Sequence, residues 1–254
     1  MDHTTSKNLK IVPAIFKNQR NIKAGQSTRL GGISPHPYAS LNLGLHTDDD
    51  ISNVRENRRR FFASFGLTEL AVACSHQVHG TAARIVRQPG RYEGFDALVT
   101  TEPYIFLTVT VADCTPILLY DPVQRAVGAV HAGWKGTKGE IVRKTLQKMR
   151  AEFGTQAADC LAYIGPCIDE CSFEVDADVA DHFPSAFKRW DEEKKKFFVD
   201  LKKANKDQLV RAGLPNAQIE VSPYSTVLEN EQFFSHRKEN GQTGRMLCGI
   251  GLFP

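Results

Sequence analysis

The sequence predicts a single α+β domain with mixed or antiparallel sheets over residues 1–254. Many short alternating apolar segments lie between glycine and proline residues, whereas only a few stretches follow the 3.6-residue period of a helix. Neighbouring strand candidates are close in the chain, and helices do not alternate regularly with strands. This irregular order argues against a doubly wound sheet. The polar residues 1–10 are expected to be flexible.

The strand candidates are short apolar or alternating segments bounded by turn residues. The clearest is Tyr104–Val111, and Phe106 on its second face indicates that both faces are covered. Two segments around Gly80 suggest a hairpin. Outside the stretch 109–137, which is treated below, the candidates are 11–16, 22–30, 41–45, 70–78, 82–86, 104–111, 160–164, 197–201, 219–221 and 244–252.

Helices are predicted where the apolar period coincides with start and stop signals. Asp50 or Ser52 can cap the first helix, and Gly66 closes it. Gly154 and Gly213 stand after two further helices, as glycine commonly does at a helix C-terminus. The predicted helices are 53–65, 138–153, 176–183 and 203–212.

The composition is that of an ordinary globular protein and excludes several functional classes. Hydrophobic residues make up 41% and charged residues 24%, and a net charge of +3 is too small to indicate nucleic-acid binding. No apolar run could span a membrane, and the N-terminal residues lack the apolar region of a signal peptide. Six cysteines do not make a disulfide scaffold in a chain of this length. We therefore expect a cytoplasmic protein with mostly free thiols.

The stretch 109–137 contains the residues best suited to chemistry. Asp121–Gln124 is a candidate turn with proline at its second position. In a hairpin centred on this turn, Cys114 and His131 face each other, with Cβ atoms about 4.5–5.5 Å apart. Pro116 weakens the pairing because proline donates no hydrogen bond to the ladder. Such a pair suits a shared metal ion, or a thiol beside its base.

His79 extends this pair to a candidate metal site. It precedes Gly80 at the end of a strand candidate, where binding sites are commonly built. His76 is three residues away, and this odd spacing places it on the opposite face of a strand. Thiolate and imidazole ligands favour zinc, and three protein ligands leave one position open for water or substrate. No short pattern such as Cys-x-x-Cys supports the site, so the grouping depends on the fold.

Two neighbouring features would complete such a site. Asp113 is either an acid or base, or a carboxylate that caps backbone N–H groups at the strand end. The glycine-rich segment 133–139 precedes a helix, where backbone N–H groups can hold phosphate, and Lys135 and Arg29 add positive charge. Trp134 occupies the lysine position of a Walker A loop, so a nucleotide-triphosphate P-loop is rejected. The alternative for this segment is a tight structural turn.

Five motifs carry a resemblance to a known family. In chain order they are SHQVHGT, VADCTPILLYDP, AVHAGWKGT, IGPCIDECSFEV and SHRKENGQTGRM. Together they resemble the polyphenol oxidase or laccase-domain family, also known as purine nucleoside phosphorylases with adenosine deaminase and methylthioadenosine phosphorylase activities. The resemblance runs from Gly25 to Arg245. It implies a single-domain four-layer α/β/β/α sandwich, similar to toxin deamidases that use a Cys–His pair.

The resemblance also implies roles for individual residues. Arg29 and Asn42 lie in segments that resemble those near the family's active-site pocket, and Cys167 lies in a similar GPC segment. The family's zinc ligands, from its QVHG, ADC and HAGW motifs, correspond to His79, Cys114 and His131.

The expected activity is cleavage of the N-glycosidic bond of purine nucleosides by phosphate, with zinc as cofactor and Asp113 as general acid or base. Adenosine, inosine, guanosine and methylthioadenosine are the expected substrates, and attack by water would instead deaminate adenosine. Two rivals stay open. A copper-dependent phenol oxidase would need several coppers and more histidines than one compact cluster offers. A cysteine hydrolase would use Cys114 as nucleophile and His131 as base. The expected assembly is a monomer or a homodimer.

Overall fold

The structure, a computed structural model, describes residues 9–254, and these form fifteen strands and five α-helices. None of the helices in this range is long and apolar enough to cross a membrane. The strands are β1 (Lys10–Ile11), β2 (Ile22–Ser27), β3 (Val72–His76), β4 (Ala83–Ile85), β5 (Gly90–Glu93), β6 (Ala97–Thr100), β7 (Phe106–Val111), β8 (Thr115–Asp121), β9 (Ala126–Ala132), β10 (Leu161–Ile164), β11 (Glu174–Val175), β12 (Lys188–Asp191), β13 (Lys196–Val199), β14 (Ile219–Val221) and β15 (Met246–Leu252). The helices are α1 (Ile51–Ala63), α2 (Trp134–Lys138), α3 (Ile141–Phe153), α4 (Ala177–Ala180) and α5 (Leu201–Arg211).

Two six-stranded mixed sheets form the centre of the fold. The first has the order β1-β2-β15-β7-β3-β5, and the second has the order β14-β10-β8-β9-β6-β4. A third sheet has three strands in the order β11-β13-β12. The α+β class with mixed sheets is therefore confirmed.

Three apolar clusters establish the order of the layers. Phe61 and Phe62 of α1 pack on the outer face of the first sheet. Leu107 of β7 and Leu118 of β8 belong to the cluster that fills the space between the two sheets. A third cluster joins the outer face of the second sheet to α3 and α5. The order is thus helix, sheet, sheet, helix, which confirms the four-layer sandwich, and a strand such as β8 is buried along its whole length.

The β8–β9 hairpin differs in register from the predicted one. Pro116, rather than Cys114, lies opposite His131. The loop is two residues longer than predicted, because Asp121 accepts hydrogen bonds from two backbone N–H groups within it and Arg125 adopts a φ of +50°. A shift of two residues keeps each side chain on its face of the sheet. Cys114 therefore lies diagonally from His131 on the same side.

Several local predictions are wrong for identifiable reasons. The segments around Gly80 do not form a hairpin, because β3 joins the first sheet and β4 the second. The glycine-rich segment 133–139 is the short helix α2 rather than a loop. Glu140 has a φ of +58°, and this left-handed residue separates α2 from α3, which therefore begins later than predicted. Of the expected flexible residues 1–10, residues 1–8 lie outside the described range and Lys10 belongs to β1.

Candidate metal centre

Three side chains from separate segments meet at one end of the second sheet. His79 lies in the loop after β3, Cys114 directly precedes β8, and His131 belongs to β9. One ligand atom from each residue lies within 4.8 Å of the other two. Within residues 9–254 they are the single group of three or more histidine, cysteine or acidic residues that could hold a metal ion. The fold thus brings together the three residues that the sequence singled out.

Asp96 fixes the orientation of one imidazole ring. It directly precedes β6, whose register with β9 brings Asp96 beside His131. The Asp96 carboxylate lies 2.8 Å from His131 Nδ1, and both residues are almost fully buried. With Nδ1 bound to a carboxylate, Nε2 is the ring nitrogen left for Cys114 or a metal ion.

The same carboxylate holds the loop that carries His79. Its two oxygens accept hydrogen bonds from the backbone N–H groups of Val78, His79 and Gly80, at 3.2, 2.9 and 2.7 Å. These contacts support a left-handed backbone at His79, whose φ is +59°. Burial raises the pKa of Asp96, but the hydrogen bonds from His131 and this loop lower it by more. Asp96 is therefore an anion that positions two of the three candidate ligands.

Cys114 and His131 shift each other's pKa in opposite directions. Burial raises the pKa of the Cys114 thiol, but the charge and hydrogen bond of His131 lower it by more. Burial lowers the pKa of His131, but the Cys114 charge and the Asp96 hydrogen bond raise it by more. The geometry therefore favours a thiolate at Cys114, which is the form that binds metals.

Gly133 leaves room for this cluster. A Cβ atom built on it would lie 3.0 Å from Cys114 Sγ and 3.2 Å from His79 Cδ2. Both contacts are closer than the about 3.5–4.0 Å that suits carbon atoms, so a side chain there would press on two candidate ligands. A Cβ atom at this position of the HAGW motif would therefore require Cys114 and His79 to shift by a few tenths of an ångström.

The three residues line a cavity of about 480 Å³. This volume lies within the range of small-molecule sites, about 300–1,000 Å³. The lining also includes the guanidinium groups of Arg58, Arg91 and Arg245, and three further imidazole rings. The metal cluster thus lies in a cavity whose lining carries three guanidinium groups, and these can attract an anionic ligand.

Asp113 is placed as a structural carboxylate. Its Oδ1 accepts a hydrogen bond from the Thr226 hydroxyl and its Oδ2 accepts one from the Arg237 backbone N–H, both at 2.6 Å. It has a φ of +81° and is not among the residues that line the cavity. These contacts match the capping alternative for Asp113 and connect the Cys114 segment to residues 226–237.

Arg29 and Asn42 lie behind the cavity rather than in its wall. The Arg29 guanidinium donates to two backbone carbonyls and pairs with Glu239 at 3.0 Å. Asn42 is fully buried, and its side-chain oxygen accepts from the N–H groups of Gly44 and Arg245. Both of these N–H groups belong to lining residues, so Asn42 shapes the cavity through the backbone.

Lys135 and Cys167 also lie outside the cavity lining. Lys135 is exposed on α2, with its ammonium group 5.6 Å from the centre of the Trp134 ring. Cys167 is fully buried, and burial raises the pKa of its thiol to about 12. The structure thus gives Cys167 the environment of a packed, protonated thiol.

Sequence reasoning missed the residue behind the site. Asp96 lies in the segment FDALVT, and recognising its role required both the four-residue strand β6 and the partner of that strand. Residues of β3 and β5 also line the cavity, and their pairing was missed because β5 is not apparent in the sequence pattern. Arg245 was noticed only as part of a motif.

Comparison with known proteins places the chain in a family. A family model described as multi-copper polyphenol oxidoreductase laccase matches residues 23–253. The chain belongs to this family. A purine nucleoside phosphorylase YlmD of Geobacillus stearothermophilus is 38% identical over 244 residues, which cover 90% of this chain and 89% of the relative. A purine nucleoside phosphorylase of Deinococcus radiodurans is 40% identical over 228 residues, with 89% and 87% covered.

Solved structures of this laccase-domain family have the same fold. The crystal structure of YlmD from Geobacillus stearothermophilus matches with a TM-score of 0.89 and 34% identity, and covers 97% of this chain and 100% of that chain. A Bacillus licheniformis hypothetical protein YfiH matches with a TM-score of 0.87 and 35% identity, with 91% and 92% covered. The predicted family resemblance is therefore confirmed.

Proposed function

We propose that the chain is a zinc-dependent purine nucleoside phosphorylase. The observation that carries the proposal is the His79–Cys114–His131 cluster, which lines a cavity together with three arginines and is oriented from behind by Asp96. The relatives named as purine nucleoside phosphorylases support the reaction class. The proposed substrates are adenosine, inosine, guanosine and methylthioadenosine, together with phosphate.

The donor set fits zinc. One thiolate and two imidazole nitrogens are ligands that zinc accepts, and three protein ligands leave one coordination position open. Asp96 on the far side of His131 is the usual companion of a metal-bound histidine. When bound, zinc supplies a Lewis acid at this end of the cavity.

Arg245 is the residue best placed to hold phosphate. It lines the cavity, and its Nη1 donates to the carbonyl groups of Thr243 and Gly244. No carboxylate within residues 9–254 pairs directly with it, so an anionic ligand would complete its contacts. We propose that Arg245 has the phosphate-binding role that the sequence suggested for Arg29 and Lys135.

The reaction requires one bond exchange. A phosphate oxygen forms a bond to the sugar C1′ as the bond from C1′ to the purine nitrogen breaks. The electron pair of that bond goes to the base, and the proton that hydrogen phosphate loses on becoming the sugar phosphate is the one that the base takes up. Holding phosphate and nucleoside in one cavity makes the attack effectively intramolecular. With water as the nucleophile at purine C6, the same centre would deaminate adenosine.

A copper-dependent phenol oxidase is the first alternative, and the family description favours it. A laccase-type reaction needs several coppers with many histidine ligands. The described residues offer one three-ligand cluster, which argues for a single metal ion. Elemental analysis separates the two functions, because the phosphorylase predicts one zinc per chain and the oxidase predicts several coppers.

A cysteine hydrolase is the second alternative. The hydrogen-bonded series Asp96, His131 and Cys114 has the arrangement of an orienting carboxylate, a base and a nucleophile, in that order. Zinc on the thiolate would block this function. Stoichiometric trapping of Cys114 by a thiol reagent in metal-loaded, active protein would favour the hydrolase, because a thiolate bound to zinc would be protected from the reagent.

The direct test is a nucleoside panel with and without phosphate. Zinc-replete protein should release the base from at least one of the four proposed nucleosides, and only when phosphate is present. The absence of phosphate-dependent release from all four would refute the proposal. A phenol-dependent consumption of oxygen would favour the oxidase instead.

The remaining features of the proposal concern the whole chain. We propose a single catalytic domain, since the family match spans residues 23–253. All six cysteines are free thiols, which suits a reducing, cytoplasmic environment. A monomer or a homodimer is proposed, with small molecules as the ligands.

A further inference from the structure

One wall of the cavity is formed by the neighbouring strands β3 and β5. These strands are parallel, with Cys74 opposite Arg91 and His76 opposite Glu93. Residues paired in this way project from the same face of the sheet, and all four line the cavity. The intervening Ser75 and Tyr92 also border the cavity, and Tyr92 packs against the apolar cluster between the two sheets. We refer to Cys74, His76, Arg91 and Glu93 as the β3–β5 wall.

The His76–Glu93 pair of this wall contributes little to the stability of the fold. His76 Nδ1 lies 3.2 Å from Glu93 Oε2, and the two side chains are 53% and 78% exposed. Exposed pairs of this kind contribute little to stability, because water screens their attraction. Charges on an outer strand discourage pairing with other sheets. That role does not account for a second imidazole, that of His46, whose ring centre is 5.2 Å from that of His76.

The wall lies within reach of a ligand at the metal centre. His76 and His79 are three residues apart, so their Cα atoms are separated by no more than about 10 Å. Both residues line the same cavity. A nucleoside with its sugar near the metal cluster can therefore place its base against the wall.

The chemistry of the wall matches a purine base. The rings of His46 and His76 give flat surfaces against which a heteroaromatic ring can pack. Glu93 offers a carboxylate, which only accepts hydrogen bonds when ionised, and His76 and Arg91 offer donors. Adenine carries an exocyclic amine, and hypoxanthine and guanine carry a ring N–H, so each base presents a donor to a carboxylate.

We propose that the β3–β5 wall is the purine-base subsite, with Glu93 as the residue that recognises an N–H group on the edge of the base. This inference rests on the proposed function, because it takes the ligand to be a purine nucleoside. A site that hydrogen-bonds its substrate discriminates against an analogue that lacks the bonding group. Glu93 is thus a specificity-determining residue, and purine riboside, which lacks both the amine and the ring N–H, is the diagnostic analogue.

The test compares Glu93→Ala with Glu192→Ala in zinc-loaded, full-length protein. Glu192 is a matched control, because its side chain is 79% exposed and pairs with Lys195 at 3.1 Å, outside the cavity. Glu93→Ala should raise the KM for inosine and adenosine about tenfold, since one hydrogen bond to a charged group is lost. The KM for purine riboside should stay within about twofold of wild type, because this analogue cannot make that hydrogen bond. The kcat for inosine, adenosine and purine riboside should also stay within about twofold, because the bond is remote from the reacting atoms.

Two outcomes would overturn the inference, and they differ from failure of the proposed function. If wild-type protein is active and Glu93→Ala behaves like Glu192→Ala with inosine, the base lies elsewhere and the phosphorylase proposal stands. If wild-type protein shows no turnover, calorimetric titration with inosine decides. Binding that Glu93→Ala weakens about tenfold would support the subsite without the reaction, whereas no binding by wild type would refute both proposals.

Discussion

The substitution Asp96→Asn tests whether Asp96 positions the candidate metal ligands His79 and His131. The carboxylate is fully buried and has four donors around it: His131 Nδ1 and the three backbone N–H groups of the His79 loop. One oxygen serves His131 and His79, and the other serves Val78 and Gly80. Asparagine has one oxygen and one NH₂ group. One of these two pairs of donors would therefore face the NH₂ group, which cannot accept a hydrogen bond.

The expected effect on metal binding follows from this conflict. Loss of a partner that orients a metal-bound histidine commonly reduces metal affinity by about 10–100-fold. A buried donor left without an acceptor also costs about 1–3 kcal/mol of stability. We therefore expect Asp96→Asn to weaken zinc binding by at least about tenfold and to lower the melting temperature of the metal-free protein.

Zinc affinity is measured by competition with a chromophoric chelator, and Asp121→Asn is the matched control. Asp121 is also fully buried, and its Oδ1 accepts two backbone N–H bonds at the far end of β8. Asparagine can keep those bonds with its single oxygen, so zinc affinity should not change. Equal zinc affinity for Asp96→Asn and Asp121→Asn would refute the role assigned to Asp96.

Three further predictions concern the same cavity. Gly133→Ala should weaken zinc binding about tenfold, because its Cβ would lie 3.0 Å from Cys114 Sγ. Gly128→Ala, on strand β9 before Gly133, meets no atom closer than 3.4 Å and should bind zinc normally. In metal-free protein the lowered pKa of Cys114 should keep this residue a thiolate. Iodoacetamide should therefore modify it at a pH below that at which ordinary thiols react. His131→Gln should move this reactivity to higher pH, and zinc should protect the thiol. Arg245→Ala should raise the KM for phosphate about tenfold and leave the KM for the nucleoside unchanged; equal changes in both KM values would contradict a phosphate-specific role.

The sequence was sufficient for the general architecture and for the ligand group. Alternation along residues 104–111 and the helical period before Gly154 correspond to β7 and α3. The hairpin argument placed Cys114 and His131 on one side of the sheet despite an error in register, because the error was an even number of residues. An error of one residue would have separated them.

The surroundings of the ligands could not be predicted from local patterns. Asp96 acts through the pairing of β6 with β9, which brings it to His131, 35 positions further along the chain. Glu93 faces the cavity because β5 pairs with β3 rather than with its chain neighbour β4. Arg29 is a case in which a local feature suggested too much. Its charge suggested phosphate binding, but its guanidinium is bound to Glu239 and two backbone carbonyls.

The most direct test of the central claim is the product balance with inosine and phosphate in zinc-loaded protein. The proposed reaction yields hypoxanthine and ribose 1-phosphate in equal amounts, and Cys114→Ala should abolish both products together with bound zinc. Hypoxanthine formed without ribose 1-phosphate would indicate hydrolysis rather than phosphorolysis. Full product formation by a zinc-free Cys114→Ala variant would contradict the assignment of the reaction to this metal centre.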